Sequence, residues 1–170
     1  MPPQPQARNC NRLNDQLSGA PSGAPVDLPW PCQPSTRSEL LAAALLHDTV
    51  EDTETTLTEL EQTFGPTISA LVAEVTDDKS LPKQERKALQ IEHSAQASAA
   101  AKQLKIADKI ANVRDILADP PADWPLARKR EYLDWAEQVV RGCRGVNAAL
   151  DACWKATLAE ARGKLEAEAR

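Results

Sequence analysis

The sequence predicts an all-α protein, and three observations carry that expectation. Aromatic residues make up only 4% of the chain, with one Phe and one Tyr, too few for an aromatic-rich β-sheet core. Two Thr-x-x-Glu runs, "TRSE" at 36–39 and "TLTE" at 56–59, have the spacing of a capping box, in which the Thr and Glu side chains satisfy each other's backbone N–H groups. Ile68, Leu71, Val72 and Val75 recur at i, i+3, i+4 and i+7, which lines one face of a helix. Six or seven helices are expected, with no strand and no internal repeat.

The first 36 residues stand apart. Eight of the thirteen prolines fall there, in "MPPQPQ", "SGAPSGAP" and "LPWPCQP", where neither helical nor strand periodicity can be sustained. They read as a disordered or loosely attached arm, residues 1–36. At Thr36 the first helix begins, and "LLAAALLH" propagates it with Leu40, Leu41, Ala44 and Leu45 available for burial. Thr56 caps a second helix, which Gly65 stops. Pro66 suits the first position of a third. "TDDKS" is a loop, and Pro82 opens "PKQERKALQIEH". From about Ser98 a longer helix carries Ile106, Ile110, Val113 and Leu117 on one arc and Asp108, Asn112 and Asp115 on the opposite one. "PPADWP" breaks the chain. Residues 128–140 are helical again, with Tyr132 and Trp135 among charges. Gly142 and Gly145 allow a turn before a last helix whose charged end frays. The organisation expected is an arm at 1–36, a helical domain at 37–158 and a charged tail at 159–170.

Net charge is −5, which argues against general nucleic-acid binding but leaves room for local Lys and Arg clusters around a small phosphorylated ligand. Cys10, Cys32, Cys143 and Cys153 form no C-x-x-C pair and read as reduced thiols. No apolar run approaches the ~18 residues of a membrane span, and no apolar core follows the first Met as in a secretory signal. The expectation is a cytoplasmic protein with no membrane and no nucleic-acid partner. Oligomeric state is not legible.

The chemistry concentrates in "ALLHDTVEDT", residues 44–53. Helical spacing places Glu51 near the face of His47 and Asp52 near that of Asp48. An imidazole among carboxylates suits a divalent cation such as Mn²⁺, and carboxylates outside the ligand set can orient or deprotonate a water. Residues alone leave two readings open here. One is an acidic helix end with a lone His; the other is a cation site, because acidic groups at a helix C-terminus need a counter-charge. Asp108, with Asn112 one turn on, is either a solvated polar residue or a third ligand delivered from a distant helix.

Four runs, "AALLHDTVEDT", "EVTDDKSLPKQERK", "KIADKIANVRD" and "REYLDWAEQVV", together resemble the RelA/SpoT-type HD phosphohydrolases, most closely the small stand-alone animal form. The resemblance covers roughly residues 40–155. It implies an HD-domain helical bundle that binds one Mn²⁺ and removes the 3′-pyrophosphate of guanosine tetraphosphate or pentaphosphate. Animal members have also been linked to removal of the 2′-phosphate of NADPH. Position by position, it implies His47, Asp48 and Asp108 as metal ligands, and Glu51 and Asp52 as the pair that positions the attacking water. Asn112 then contacts the nucleotide sugar, and Lys83, Arg128 and Tyr132 surround the bound nucleotide.

The chain departs from that family in front of Leu40. The family has a further metal-ligating histidine on an earlier helix, where this chain reads "SGAPSGAP". His93, the only other histidine, is expected to be an exposed polar residue near a helix end. Loss of one imidazole is expected to weaken Mn²⁺ binding. Loss of the helices that carry it is expected to expose apolar surface on 40–46 and 104–117. A longer transcript carrying that histidine is also expected. Two functions therefore compete: a metal-dependent nucleotide phosphohydrolase, or an impaired pseudo-enzyme acting as a nucleotide-binding or helical interaction domain. A metal-storage bundle is disfavoured by the absence of paired E-x-x-H motifs.

Overall fold

The computed structural model of the 170-residue chain describes residues 37–169. The expectations placed on residues 1–36, including Thr36, Cys10 and Cys32, lie outside the described residues. Within them the chain forms helices and no strand: α1 (Arg37–Leu46), α2 (Thr49–Asp52), α3 (Leu57–Phe64), α4 (Pro66–Val75), α5 (Lys83–Ser94), α6 (Ala99–Ala118), α7 (Leu126–Cys143) and α8 (Ala148–Glu168).

Local chemistry accounts for most boundaries. Thr56 and Glu59 form the full capping box at the start of α3. Gly65, at φ 87°, ends α3 in a conformation an L side chain rarely adopts, and Pro66 begins α4 where its missing N–H costs nothing. Ser98 caps α6 by accepting from the Ala101 N–H. Asn147 caps α8 by accepting from Ala149 and Leu150. Gly142 is not part of a turn, as the sequence suggested; it lies inside α7, which runs to Cys143. A Cβ at that position would come 2.0 Å from the Ser94 hydroxyl, so glycine lets the end of α5 close against α7.

α6 is the central helix. It packs against α1, α4, α7 and α8, and Leu104, Ile106, Ile110 and Val113 are all but inaccessible. Each such side chain contributes roughly 1.5–3 kcal/mol of burial relative to exposure. The apolar arc of 104–117 is thus covered rather than laid open, because α8 and α7 already enclose it. On α1 only Leu45 among the large apolar side chains is exposed, at 48%. Packing on α8 continues past Leu158 to the buried Ala161 and Leu165.

The polar arc of α6 is enclosed as well. Asp108 is 14% exposed at its side chain and Lys109 is 9% exposed. The solvated reading of Asp108 is therefore incorrect: His47, just past α1, and Trp135 on α7 close over that face, and a carboxylate there must be paired.

Candidate metal centre and nucleotide cavity

The helix begun at Arg37 does not run through "HDTVEDT". α1 ends at Leu46, His47 and Asp48 form a turn, and α2 is a single helical turn that Asp48 precedes without a side-chain capping bond. The break lets the buried His47 turn inward. Its Nδ1 donates to the Ala44 carbonyl at 2.8 Å, which fixes the ring orientation and turns Nε2 toward the cavity. Nε2 lies 3.1 Å from Asp48 Oδ1 and 3.6 Å from Asp108 Oδ1. This buried nitrogen makes ion-pair contacts with the two carboxylates but no hydrogen bond. Burial opposes a charged imidazolium, but the contact and charge of Asp108, and then the charge of Asp48, outweigh it and raise the pKa of His47 to about 9.

Asp108 is held from two sides. Lys109 Nζ bonds Oδ2 at 2.7 Å, and Asn112 Nδ2 donates to Oδ1 at 2.8 Å. Burial alone would push this carboxyl up, yet Lys109 and His47 hold it well below the usual carboxylate range. Lys109 also lies over the Trp135 ring, 4.8 Å from its centroid. Glu51 Oε1 accepts the Asp77 N–H at 2.6 Å, and burial raises the Glu51 pKa against that hydrogen bond. Asp52 faces outward, where Lys79 Nζ bonds its Oδ1 at 2.7 Å and also reaches the Glu51 carbonyl.

These groups line an inner cavity of about 170 Å³, with His47, Asp48 and Glu51 on one wall and Lys105, Asp108 and Asn112 on another. Asp77 and Gln90 are shared with an outer cavity of about 630 Å³ between α5 and α7. The outer cavity is cationic and aromatic. Lys83, Arg86, Lys87 and Arg128 border it, and Trp124, Tyr132 and Trp135 form a ladder with centroids 5.7 and 5.4 Å apart. Arg128 lies over Trp124 at 4.5 Å, and the Trp135 indole donates to the Lys87 carbonyl at 3.1 Å. Tyr132 reaches back to Asn112 by a hydrogen bond, which joins the two cavities; burial raises its pKa to about 12.

Of the residues singled out in the sequence, His47, Asp48, Glu51, Asp108 and Asn112 meet in the inner cavity, and Lys83, Arg128 and Tyr132 meet in the outer one. Asp52 lines neither, and His93 is exposed in the last turn of α5. Sequence reasoning missed Trp124, which sits in the "PPADWP" breaker, and Lys105, Lys109 and Asp77, whose charges resemble ordinary surface residues. Trp135, placed among charges on α7, had a usable signal: it lies one helical turn after Tyr132.

The donor set fits a divalent cation: an imidazole whose Nε2 becomes a ligand on losing its proton, and two carboxylates from separate elements. Among the described residues, however, no three His, Cys, Asp or Glu side chains are drawn into a closed metal-binding arrangement. The present geometry is that of ion-pair contacts around Nε2.

Comparison with known proteins agrees with this architecture. Residues 31–134 match the HD domain. The chain is 53% identical over 116 residues to guanosine-3′,5′-bis(diphosphate) 3′-pyrophosphohydrolase MESH1 of Danio rerio, covering 68% of this chain and 64% of the relative. It is 53% identical over 116 residues to the Homo sapiens protein of that name, covering 65% of it, and 52% identical over 124 residues to that of Mus musculus, covering 69%. The chain thus spans 64–65% of the length of the fish, frog, fly and human relatives. A solved structure described as a metazoan ortholog of SpoT that hydrolyzes ppGpp superposes with a TM-score of 0.71 at 36% identity, covering 94% of this chain and 97% of the other. A Listeria monocytogenes structure at 24% identity shares the fold, with a TM-score of 0.67 over 88% of this chain and 90% of that one. The chain belongs to the HD-domain family.

Proposed function

We propose that the chain is a metal-dependent nucleotide phosphohydrolase, acting first on the 3′-pyrophosphate of guanosine tetraphosphate or pentaphosphate, and also able to accept the 2′-phosphate of NADPH. One observation carries the reading. A buried imidazole nitrogen with no hydrogen bond faces two carboxylates from separate elements, at the inner end of a cation-lined cavity. The names of the relatives support the substrate class.

His47 Nε2, Asp48 and Asp108 would hold the cation, Mn²⁺ in this reading, which supplies Lewis acidity: it lowers the pKa of water and offsets charge on phosphoryl oxygens. Asn112 and Lys109 orient Asp108 from behind. The Asp77 N–H occupies Glu51 Oε1, which leaves Oε2 to take the proton of the attacking water. Its pKa, raised by burial, makes it a better base than a free carboxylate. Asp52, tied to Lys79, fixes the orientation of the Glu51 turn rather than touching the cavity. Tyr132 and Asn112 face the sugar between the cavities. Lys83 and Arg128 neutralise phosphate, and Trp124 offers a face for the base. No described helix is long and apolar enough to cross a membrane, and a cytoplasmic nucleotide hydrolase accords with that.

Phosphate and pyrophosphate release from guanosine tetraphosphate and NADPH, with and without Mn²⁺, tests the reading. Metal-dependent release from the wild-type chain, abolished in Asp108→Ala, is expected. A second reading, a nucleotide-binding domain without turnover, is favoured by the open geometry around Nε2 and the single imidazole facing the cavity among the described residues. Equal background release from both chains, with nucleotide binding retained, would establish it instead.

A further inference from the structure

The inner cavity carries a cation to which the mechanism above gives no task. Four other cations nearby are committed. Lys79 pairs with Asp52, Lys109 pairs with Asp108, Lys87 lies over Trp135 and Arg128 over Trp124. Lys105 differs. It lies on α6 at i, i+3, i+4 and i+7 with Asp108, Lys109 and Asn112, so it shares their face. Its side chain lines the same cavity as His47, Asp48 and Glu51.

Among the described residues the Lys105 ammonium has no hydrogen-bond acceptor and no carboxylate within ion-pair distance. Asp77 and Asp108 attract it from farther away, but Gln90 already bonds Asp77 and Lys109 already bonds Asp108. Burial, and then the like charge of Lys109, lower its pKa from the ordinary lysine value. A half-buried ammonium without a partner costs free energy that a surface lysine would avoid. A bound anion offsets that cost, and an ammonium on a flexible stem suits a phosphate oxygen as a point charge.

We propose that Lys105 contacts the substrate: its ammonium receives an oxygen of the phosphoryl group in the inner cavity and positions the phosphorus beside Asp48 and Asp108. This rests on the phosphohydrolase reading and adds to it a residue that holds the reacting group rather than the nucleoside.

Calorimetric titration of inorganic pyrophosphate in the presence of Mn²⁺ tests it, on wild type, Lys105→Met and Lys105→Arg, each checked for helix content by circular dichroism. Loss of one charge-assisted hydrogen bond should weaken binding about 10- to 100-fold in Lys105→Met. Lys105→Arg should keep most of the affinity, and Mn²⁺ affinity without pyrophosphate should not weaken in either variant. A merely structural lysine would leave pyrophosphate affinity in Lys105→Met unchanged, and that result overturns the proposal. So does a wild-type chain that binds no pyrophosphate. Should Lys105→Met fail to fold, Lys105→Gln carries the same comparison. Failure of the parent reading looks different: no phosphate release by wild type, alongside pyrophosphate binding that still depends on Lys105.

Discussion

The inner and outer cavities solve opposite problems. In the inner one, nearly every charged group is locked. Asp108 is held by Lys109 and Asn112, His47 by the Ala44 carbonyl, and Glu51 by the Asp77 N–H. In the outer one, charges rest on aromatic faces. Arg128 sits over Trp124 with only a long contact to Asp123 at 3.6 Å, and Lys87 sits over Trp135. The first is preorganised for one reacting group. The second has a wide aromatic surface, which on the proposed function would take the base of the nucleotide. On the proposed function, the difference predicts where substitutions act: inner changes should cost stability and chemistry together, whereas changes at the outer edge, as at Trp124, should cost affinity.

The sharpest way to break that comparison is to uncouple Asp108 from Lys109. Both are buried, so removing one leaves the other charged and without its closest opposite charge. Lys109→Ala should destabilise the chain by about 3–5 kcal/mol, read as a drop in the urea midpoint. Removing both charges in Asp108→Leu/Lys109→Met should recover much of that loss. If Lys109→Ala unfolds like wild type, the inner cavity is no more rigidly built than the outer one.

Much of this contrast was legible in the sequence, and the rest had physical reasons to be hidden. The "TLTE" cap, Gly65–Pro66 and the apolar arc of α6 act within one or two turns of helix, so spacing alone exposes them. "HDTVEDT" displayed its ligand types, but the break at His47–Asp48, which turns the imidazole inward, follows from packing rather than from any helix breaker. Lys109 and Lys105 were invisible for a related reason. A lysine on a polar arc looks solvated until elements distant in sequence cover it, as Trp135 of α7 covers Lys109 and the cavity around His47 encloses Lys105. Trp124 was hidden because a loop tryptophan carries no periodicity.

The next contrast concerns protons. In the metal-free protein His47 has a pKa of about 9, because Asp108 and Asp48 outweigh the burial that would lower it. It is therefore protonated at neutral pH, and a cation at Nε2 must displace that proton. Apparent Mn²⁺ affinity should rise as pH increases from about 6 to about 8, approaching tenfold per unit for one displaced proton. Counting free Mn²⁺ by electron paramagnetic resonance during a titration measures this. Affinity that stays flat over that window would remove His47 from the ligand set. His47→Gln, which cannot bind the proton, should bind more weakly and lose most of the slope.

The smallest effect is expected in the outer cavity. Trp124 touches Arg128 and Tyr132 but neither Asp108 nor His47. Trp124→Ala removes one stacking face and one cation–π contact, together worth about 1–2 kcal/mol at a partly exposed site. Nucleotide affinity, or KM where turnover is measured, should therefore weaken roughly 5- to 30-fold, with kcat and Mn²⁺ affinity held. Inorganic pyrophosphate, which has no base to stack, should bind Trp124→Ala and wild type alike. If pyrophosphate affinity falls as far as nucleotide affinity, the two cavities do not divide the substrate between them. In that case Trp124 acts through the Tyr132–Asn112 link on the inner groups instead.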